Sequence, residues 1–254
     1  MAELVKYESE NGIGIITIEN GKNNPLNLEI LQKLVDTFQI SVQKNDRVVV
    51  LRSAAKHFTV GVDIKFMYDS KLGGGDPKDF ELLAEGFQNI TRAMLSHPGL
   101  VIVAMKGWVI GGGFEISLAA DLRIASRKAR IMLPELKIGT MFSNAATQLL
   151  PDLIGLSRAK QLMLLGEEIS GETAFNIGLI NKICDEPDLD SFVMDLAHKF
   201  VESTSEKAVT FTKILLDKHR NMNLSQVLNS ELEVLQELGN DPVFLEHIRE
   251  FTKK

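Results

Sequence analysis

Apolar positions along the chain follow two periods, one typical of strands and the other of helices. An Ile-rich alternation over residues 12–19 predicts a strand, and a turn signal follows at 21–25. Apolar residues then recur at helical spacing over 28–42, which predicts an amphipathic helix. The next segment, 48–51, is a short continuous apolar run of the kind found in parallel strands that are covered on both faces.

The same alternation continues through the middle of the chain. A helical pattern over 79–96 precedes a second buried-type run at 100–104, and 122–125 and 129–132 have the pattern of two more short strands. Strands that alternate with helices imply crossover connections and a mostly parallel sheet. The first part of the chain is therefore predicted to be α/β.

From about Ser143 onward the pattern changes to almost uninterrupted helix. The predicted helices are 145–154, 158–165, 172–177, 189–201, 207–220, 224–237 and 242–251. We therefore expect a sheet-bearing core over residues 1–187 and a helical C-terminal region over 188–254. A thin helical layer needs something to cover, which favours a lid or an oligomer contact.

Composition and charge exclude several classes of protein. The net charge of −6 argues against a nucleic-acid binder, which usually carries a basic face. Residues 1–12 have no targeting pattern, and no apolar run reaches the roughly 18 residues of a membrane helix. The single Cys184 forms no internal disulfide, and the five histidines lack metal-ligand spacing. We expect a soluble cytoplasmic protein without a metal site.

The most informative string is a glycine-rich turn at residues 111–115, Gly-Gly-Gly-Phe-Glu, between a predicted strand and a helical pattern. Glycines there let the backbone approach a ligand and leave N–H groups exposed at a helix N-terminus, where negative charge is stabilised. A plain strand-to-helix turn explains the string equally well. A dinucleotide-binding or phosphate-binding loop is disfavoured because the spacing of neither motif is present. Glu115 is either a helix cap or a catalytic carboxylate.

A second string, residues 54–65, also follows a buried-type strand. Gly61 permits an unusual backbone conformation within it. By itself this string does not specify a site.

Together the two strings resemble the crotonase (enoyl-CoA hydratase/isomerase) superfamily, over roughly residues 4–196. Residues 58–64, Phe-Thr-Val-Gly-Val-Asp-Ile, are similar to a family segment that supplies one oxyanion-hole N–H, here that of Val62. The glycine turn supplies the second, here that of Gly112. Hydratases of the family carry two glutamates twenty positions apart, which match Glu115 and the Pro134-Glu135 step.

The resemblance implies a fold and an assembly as well. The family fold is a spiral of ββα units with a C-terminal helical region, and its members commonly assemble as homotrimers or dimers of trimers. The substrate would be an acyl-CoA thioester, and no separate cofactor would be required because coenzyme A is part of the substrate.

The implied reaction is the hydration of a 2-trans-enoyl-CoA to a 3-hydroxyacyl-CoA. Two N–H donors would stabilise the negative charge that builds on the thioester oxygen. By the resemblance, Glu115 would deprotonate the attacking water and Glu135 would protonate the α-carbon. Residues assigned to binding of the coenzyme A or acyl group are Gly61, Asp63, Ile64, Lys65, Gly111 and Phe142, with Lys65 near the phosphates.

Three alternatives stay open. An enoyl-CoA isomerase would rely on the carboxylate at position 135 alone, whereas Glu115 favours hydration. A catalytically silent protein that binds CoA esters would use neither glutamate. Other superfamily reactions, such as decarboxylation or carbon–carbon cleavage, share the oxyanion hole. Residues 140–147, Thr-Met-Phe-Ser-Asn-Ala-Ala-Thr, replace a glycine-rich segment that borders the acyl pocket in relatives, and the resemblance therefore leaves acyl length and branching open.

Overall fold

A computed structural model describes residues 3–218 and 221–252. The strands are β1 Val5–Glu10, β2 Ile13–Ile18, β3 Val48–Ser53, β4 Leu100–Met105, β5 Trp108–Ile110, β6 Leu122–Ser126, β7 Arg130–Met132, β8 Ile169–Ser170 and β9 Lys182–Cys184. The helices are α1 Leu28–Gln43, α2 Ile64–Lys71, α3 Asp79–Leu95, α4 Gly112–Ser117, α5 Ala146–Ile154, α6 Leu156–Leu165, α7 Gly171–Asn176, α8 Leu189–Ser203, α9 Glu206–Lys218, α10 Leu224–Leu238 and α11 Pro242–Phe251.

The larger of two sheets has the strand order β1-β2-β3-β4-β6-β9. Strand β1 pairs antiparallel to β2, and each later neighbour is parallel. Strand β3 is buried along almost its whole length, as its continuous apolar run predicts, because helices cover a parallel sheet on its faces. The predicted strands at 12–19, 48–51, 100–104, 122–125 and 129–132 are confirmed.

The smaller sheet, of order β5-β7-β8, explains how the chain winds. Strand β4 of the large sheet leads through Gly107 into β5 of the small sheet and then into α4. Strand β6 of the large sheet leads likewise into β7 of the small sheet. Each strand–strand–helix step thus adds one strand to both sheets, which is the predicted ββα repeat. Gly107 has φ 56°, and a Cβ there would lie 2.4 Å from Nδ1 of His57.

Helices α1 and α3 pack on each other and contribute to the main core. Helix α1 begins at a cap, because Oδ1 of Asn27 accepts a hydrogen bond from the N–H of Ile30 at 3.1 Å. Its predicted apolar stripe is buried at Leu31, Leu34 and Phe38. The predicted helices at 28–42 and 79–96 are confirmed.

Several elements differ from the sequence prediction. Strand β1 and helix α2 were not predicted. In the region after Ser143 the predicted helices are confirmed, and two short strands that were not predicted, β8 and β9, lie between them. These strands are short, and β1 has mostly polar, exposed residues. Strand β1 pairs with its neighbour in sequence, β2, whereas the pairing of β8 with β7 and of β9 with β6 is a tertiary effect that local periodicity does not report.

The chain divides into two compact units, one up to His198 and the other from Lys199 onward. Within the second unit α9 and α10 pack together, and Lys207 forms an ion pair with Glu237 at 2.8 Å. Helix α9 agrees with the predicted helix 207–220 as far as Lys218, and residues 219–220, with His219, lie outside the described residues. The predicted boundary near 187 follows the last strand and stays a prediction. In the described ranges no helix is long and apolar enough to cross a membrane.

Candidate active site

A cavity of about 230 Å³ lies where parallel segments of the small sheet end. Strands β5 and β7 are parallel, and Thr59 forms a parallel bridge to Val109 of β5. The carboxyl ends of these three segments therefore meet at one edge. Residues after each of them line the cavity, which is the usual position of ligand sites at strand ends in α/β sheets.

The backbone around Val62 is held by a second bridge. The carbonyl of Gly61 accepts from the N–H of Leu26 at 2.8 Å, and the N–H of Asp63 donates to the carbonyl of Leu26 at 2.9 Å. Because its two neighbours face Leu26, the N–H of Val62 points the other way, and it has no hydrogen-bond acceptor among the residues that the structure describes. Val62 lines the cavity.

The glycine turn brings a second amide to the same cavity. The N–H of Gly111 is engaged by the carbonyl of Met132 at 3.0 Å, whereas that of Gly112 has no acceptor within the described part of the chain. A Cβ at Gly61, which has φ 83°, would lie 3.5 Å from the Gly112 nitrogen and 2.6 Å from the carbonyl oxygen of Ile110. Only glycine at position 61 permits this approach, and the amides of Val62 and Gly112 therefore border one cavity.

Glu115 lies in the first turn of α4 with 2% of its surface exposed. Its Oε2 accepts a hydrogen bond from the backbone N–H of Asn144 at 3.1 Å. Burial and, second, the negative charge of Glu135 raise the pKa of Glu115 to about 8. Glu115 is thus a cavity-lining carboxyl group whose ionisation is opposed by burial and by Glu135, and its side chain does not cap α4.

Glu135 opens a short 3-10 helix, Glu135–Ile138, directly after β7 and Pro134. It is 7% exposed, and its Oε2 has no hydrogen-bond partner among the described residues. Burial raises the pKa of this carboxyl as well. A Cβ at Gly111 would lie 2.7 Å from Oε1 of Glu135, which makes glycine at 111 a condition for this carboxylate position.

The two carboxyl groups thus face one cavity and raise each other's cost of ionisation. Two such groups lose their protons in separate steps, and over a range of pH the pair holds one proton. Such a pair offers one general acid and one general base beside two free N–H donors. This arrangement suits chemistry in which a proton moves while an oxygen becomes negative.

The structure brings six of the predicted site residues to the cavity wall: Val62, Ile64, Gly111, Gly112, Glu115 and Glu135. Gly61 contributes through its backbone. Three others lie apart from the lining. The carboxylate of Asp63 caps α2 by accepting from the N–H groups of Lys65 and Phe66, Lys65 is exposed, and Phe142 is buried in the core. The functional roles of all ten residues stay predictions.

Sequence reasoning missed the apolar wall of the cavity. Met67 of α2 and a stripe on α3 form it, together with Ile138 and Met141. The α3 stripe consists of Phe80, Leu83, Ala84 and Phe87. The spacing of this stripe, i, i+3, i+4 and i+7, is visible in the sequence, but it does not tell a core face from a pocket wall.

In the described residues no group of histidine, cysteine and acidic side chains is arranged to hold a metal ion.

Several proteins of known name resemble this chain in sequence or in structure. The "Probable enoyl-CoA hydratase" of Bacillus subtilis is 32% identical over 205 residues, covering 80% of this chain and 78% of the relative. The short-chain-enoyl-CoA hydratase of Clostridium acetobutylicum is 30% identical over 239 residues, 92% of this chain and 88% of its own. The crystal structure of an enoyl-CoA hydratase from Bacillus anthracis superimposes with a TM-score of 0.90 at 27% identity, covering 99% of this chain and 96% of that one.

Fold and site together define a crotonase-type enzyme with the predicted ββα spiral and C-terminal helices. The family model for enoyl-CoA hydratase/isomerase matches residues 8–254, and the chain belongs to this family.

Proposed function

We propose that the protein adds water to 2-trans-enoyl-CoA thioesters and forms 3-hydroxyacyl-CoA. The observation that carries this proposal is the pair of buried glutamates, Glu115 and Glu135, on one cavity that two unbonded backbone amides border. Relatives named enoyl-CoA hydratase support it.

In this proposal the amides of Val62 and Gly112 bind the thioester oxygen. Negative charge builds on that oxygen as the double bond accepts the nucleophile and an enolate forms. Donors fixed before the reaction stabilise that charge without reorganising, and the loss of one such donor typically costs about 10²–10³ in rate.

The glutamates divide the proton transfers. Glu115 takes a proton from water while the oxygen attacks the β-carbon, and Glu135 gives its proton to the α-carbon. The product gains one water in total, and a proton passes from Glu115 back to Glu135 before the next turnover. This step starts with Glu115 ionised and Glu135 protonated, which is one of the two states in which the coupled pair holds a single proton, and the hydrogen bond from Asn144 favours the ionised form of Glu115. The proposal needs no cofactor or metal, because coenzyme A belongs to the substrate.

Binding of the coenzyme A part is assigned to segments beside the amides. Ile64 borders the cavity next to the exposed Lys65, whose ammonium group is available for the phosphates. Gly61 and Gly111 leave room for the thioester. Asp63 and Phe142 act through structure in this scheme, by capping α2 and by packing behind the cavity.

Glu115 also favours hydration over the two main alternatives. An isomerase moves one proton between carbons and has no need of a second carboxylate. Burial of two carboxyl groups, one of them with an oxygen that has no partner among the described residues, lowers the stability of the folded protein. In a silent binding protein this loss of stability would bring no gain in affinity, whereas in a hydratase both groups take part in the reaction.

Isotopically labelled water tests the proposal directly. Incubation of the enzyme with a conjugated enoyl-CoA in H₂¹⁸O should place labelled oxygen in the product. We expect Glu115→Gln and Glu135→Gln each to lower turnover by about 10²-fold or more, whereas Glu85→Gln on the exposed side of α3 should leave it unchanged. Product without labelled oxygen would indicate isomerisation, and unaffected turnover in both active-site variants would refute the assignment of the glutamates.

A cytoplasmic location and an assembly of three or six chains complete the proposal. The first is tested by cell fractionation and the second by the mass of the protein in solution.

A further inference from the structure

Two polar side chains of α3 hold the loop that follows the 3-10 helix. Nε2 of Gln88 donates to the carbonyl of Ser143 at 3.0 Å. One turn further along, the hydroxyl of Thr91 donates to the side-chain oxygen of Asn144. Thr91 and Asn144 are 4% and 1% exposed, and this contact is therefore shielded from water.

The same two loop residues hold Glu115. The N–H of Asn144 donates to Oε2 of Glu115 at 3.1 Å, and a hydrogen bond from the N–H of Ser143 also lowers the pKa of this carboxyl. Both donors favour the ionised form and oppose the effect of burial. The loop thus binds the carboxylate through backbone N–H groups, and it is bound to α3 through the carbonyl of Ser143 and the side chain of Asn144.

The loop conformation needs such an anchor. Ala145, directly after Asn144, has φ 61°, in the left-handed region that residues with a Cβ rarely occupy. This strained residue directly precedes α5, and its side chain forms no hydrogen bond that caps the helix. The contacts from α3 hold Ser143 and Asn144, the two residues that precede Ala145, while the N–H of Asn144 donates to Glu115.

We propose that Thr91 and Gln88 are positioning residues, which act through Asn144 and Ser143 to orient the Glu115 carboxylate and to keep it able to ionise. The proposal rests on the hydratase function proposed above. Thr91 and Gln88 lie outside the cavity lining and thus affect catalysis without touching the substrate. Neither the glycine turn nor the Pro-Glu step indicates these positions.

Electrostatics around Glu115 make the effect measurable. Glu135 is the charged side chain whose field acts on it, whereas Thr91, Gln88 and Asn144 are neutral. Arg92 touches the network at its exposed end, where it donates to Oε1 of Gln88 at 3.2 Å. Removal of one anchor therefore changes hydrogen bonding to Glu115 and leaves its charged surroundings as they are.

Thr91→Val tests the inference, because valine keeps the shape and removes the hydroxyl. We expect kcat with crotonyl-CoA at pH 7 to fall about tenfold while KM changes less than about twofold. The substitution disturbs the orientation of Glu115 and not the apolar wall that binds the substrate. In substrate-free protein the pKa of Glu115 should rise by about half to one unit. The measurement is ¹³C-carboxyl NMR of glutamate-labelled protein, with the Glu115 signal assigned by its absence in Glu115→Gln.

Three further variants control the result. Thr91→Ser keeps the hydroxyl and should restore both values. Gln88→Met cuts the other anchor at a more exposed position and should move the titration in the same direction, also if Thr91→Val folds poorly. Thr37→Val removes a buried hydroxyl from α1, where it donates to the carbonyl of Leu34 and to no other group of the described residues, and it should change neither value.

The outcomes separate this inference from the hydratase proposal. If the titration of Glu115 shifts in Thr91→Val and Gln88→Met but wild-type protein incorporates no labelled oxygen, the positioning role stands and the assigned reaction is wrong. If wild-type protein hydrates the substrate and both variants behave like Thr37→Val in titration and in kcat, the positioning role is refuted.

Discussion

The two glutamates of the cavity lower the stability of the folded protein. Glu115 and Glu135 are buried at 2% and 7% exposure, and Oε2 of Glu135 has no partner among the described residues. Buried carboxyls that lack full hydrogen bonding destabilise the folded state, and they do so most when ionised. The active site is therefore predicted to trade stability for reactivity.

Glu115→Gln should expose this cost through its dependence on pH. The pKa of Glu115 is raised from 4.5 to about 8, and the folded protein therefore retains a proton that the unfolded chain releases. The contribution of this group to stability is thus fully present below about pH 4.5 and is lost as pH rises to about 8. We expect the variant to be close to wild type in stability near pH 4.5 and to be more stable by about 4 kcal/mol at pH 8.5. Urea denaturation at both values measures it.

Glu85→Gln, on the exposed side of α3, is the control and should follow wild type at both pH values. A stability difference between Glu115→Gln and wild type that does not grow with pH would contradict the raised pKa.

Individual site residues were predicted unevenly from the sequence. The glycine turn and the Pro-Glu step indicated Gly112, Glu115 and Glu135, because unusual residues at fixed spacing are visible in a single chain. Asp63 and Phe142 were assigned to the substrate, yet one caps α2 and the other lies in the core. Local sequence gives the residue type but not the direction in which its side chain points.

Helix α3 serves the site with two of its faces. Phe80, Leu83, Ala84 and Phe87 form the apolar wall of the cavity. Gln88 and Thr91 hold the loop that grips Glu115. A change on the apolar face should therefore alter which acyl chains the enzyme accepts. A change at Gln88 or Thr91 should alter the orientation and the ionisation of Glu115.

Ala84→Leu is predicted to shorten the acyl chains that the enzyme accepts. Ala84 is the smallest side chain of the cavity-facing stripe, and leucine there would fill space that a longer acyl group needs. Overpacking of a filled pocket typically costs about 1–3 kcal/mol, which corresponds to a loss of about 5- to 150-fold in kcat/KM for long-chain substrates. A series of enoyl-CoA substrates of increasing length measures the shift, and crotonyl-CoA should be little affected.

Glu85→Leu adds the same side chain one position away, on the exposed side of α3, and should leave the length preference unchanged. Equal loss for short and long chains in Ala84→Leu would contradict the assignment of this wall to the acyl group.

Elements with a strong apolar period were predictable, whereas several short elements without one were not. Helices α1 and α3 and strand β3 bury a face that the sequence already displays. Strands β1, β8 and β9 exist because another strand lies beside them, and α2 starts where Asp63 can cap it. The partners of β8 and β9 come from distant parts of the chain, which a local window does not contain, whereas β1 and α2 lack a strong apolar period of their own.

The second compact unit leaves apolar residues exposed along one helix. Leu224, Leu228, Leu232 and Leu235 of α10 are each more than half exposed, and they follow helical spacing. A stripe of this kind on a stable monomer would be unusual, because large exposed apolar surfaces mark interaction sites. It agrees with the expectation that helices of this region serve assembly, which stays a prediction.

Light scattering of the full chain tests the predicted assembly. We expect a mass three or six times that of one chain, and we expect Leu228→Glu with Leu232→Glu to lower the mass. Ser225→Glu with Asn229→Glu introduces the same charges at the same spacing on exposed polar positions of α10, and it should leave the mass unchanged. A monomeric wild-type protein would refute the prediction.

The sequence by itself determined the α/β class, the main helices and strands, and the chemical types that the site would use, because periodicity and short motifs are local properties. Tertiary structure alone decided which amides stay unbonded, which carboxyls are buried together and which helix holds them. Those features depend on chain segments far apart in sequence, such as Thr91 and Asn144. Their contacts, and the resulting pKa of Glu115, arise only when folding removes water from between them.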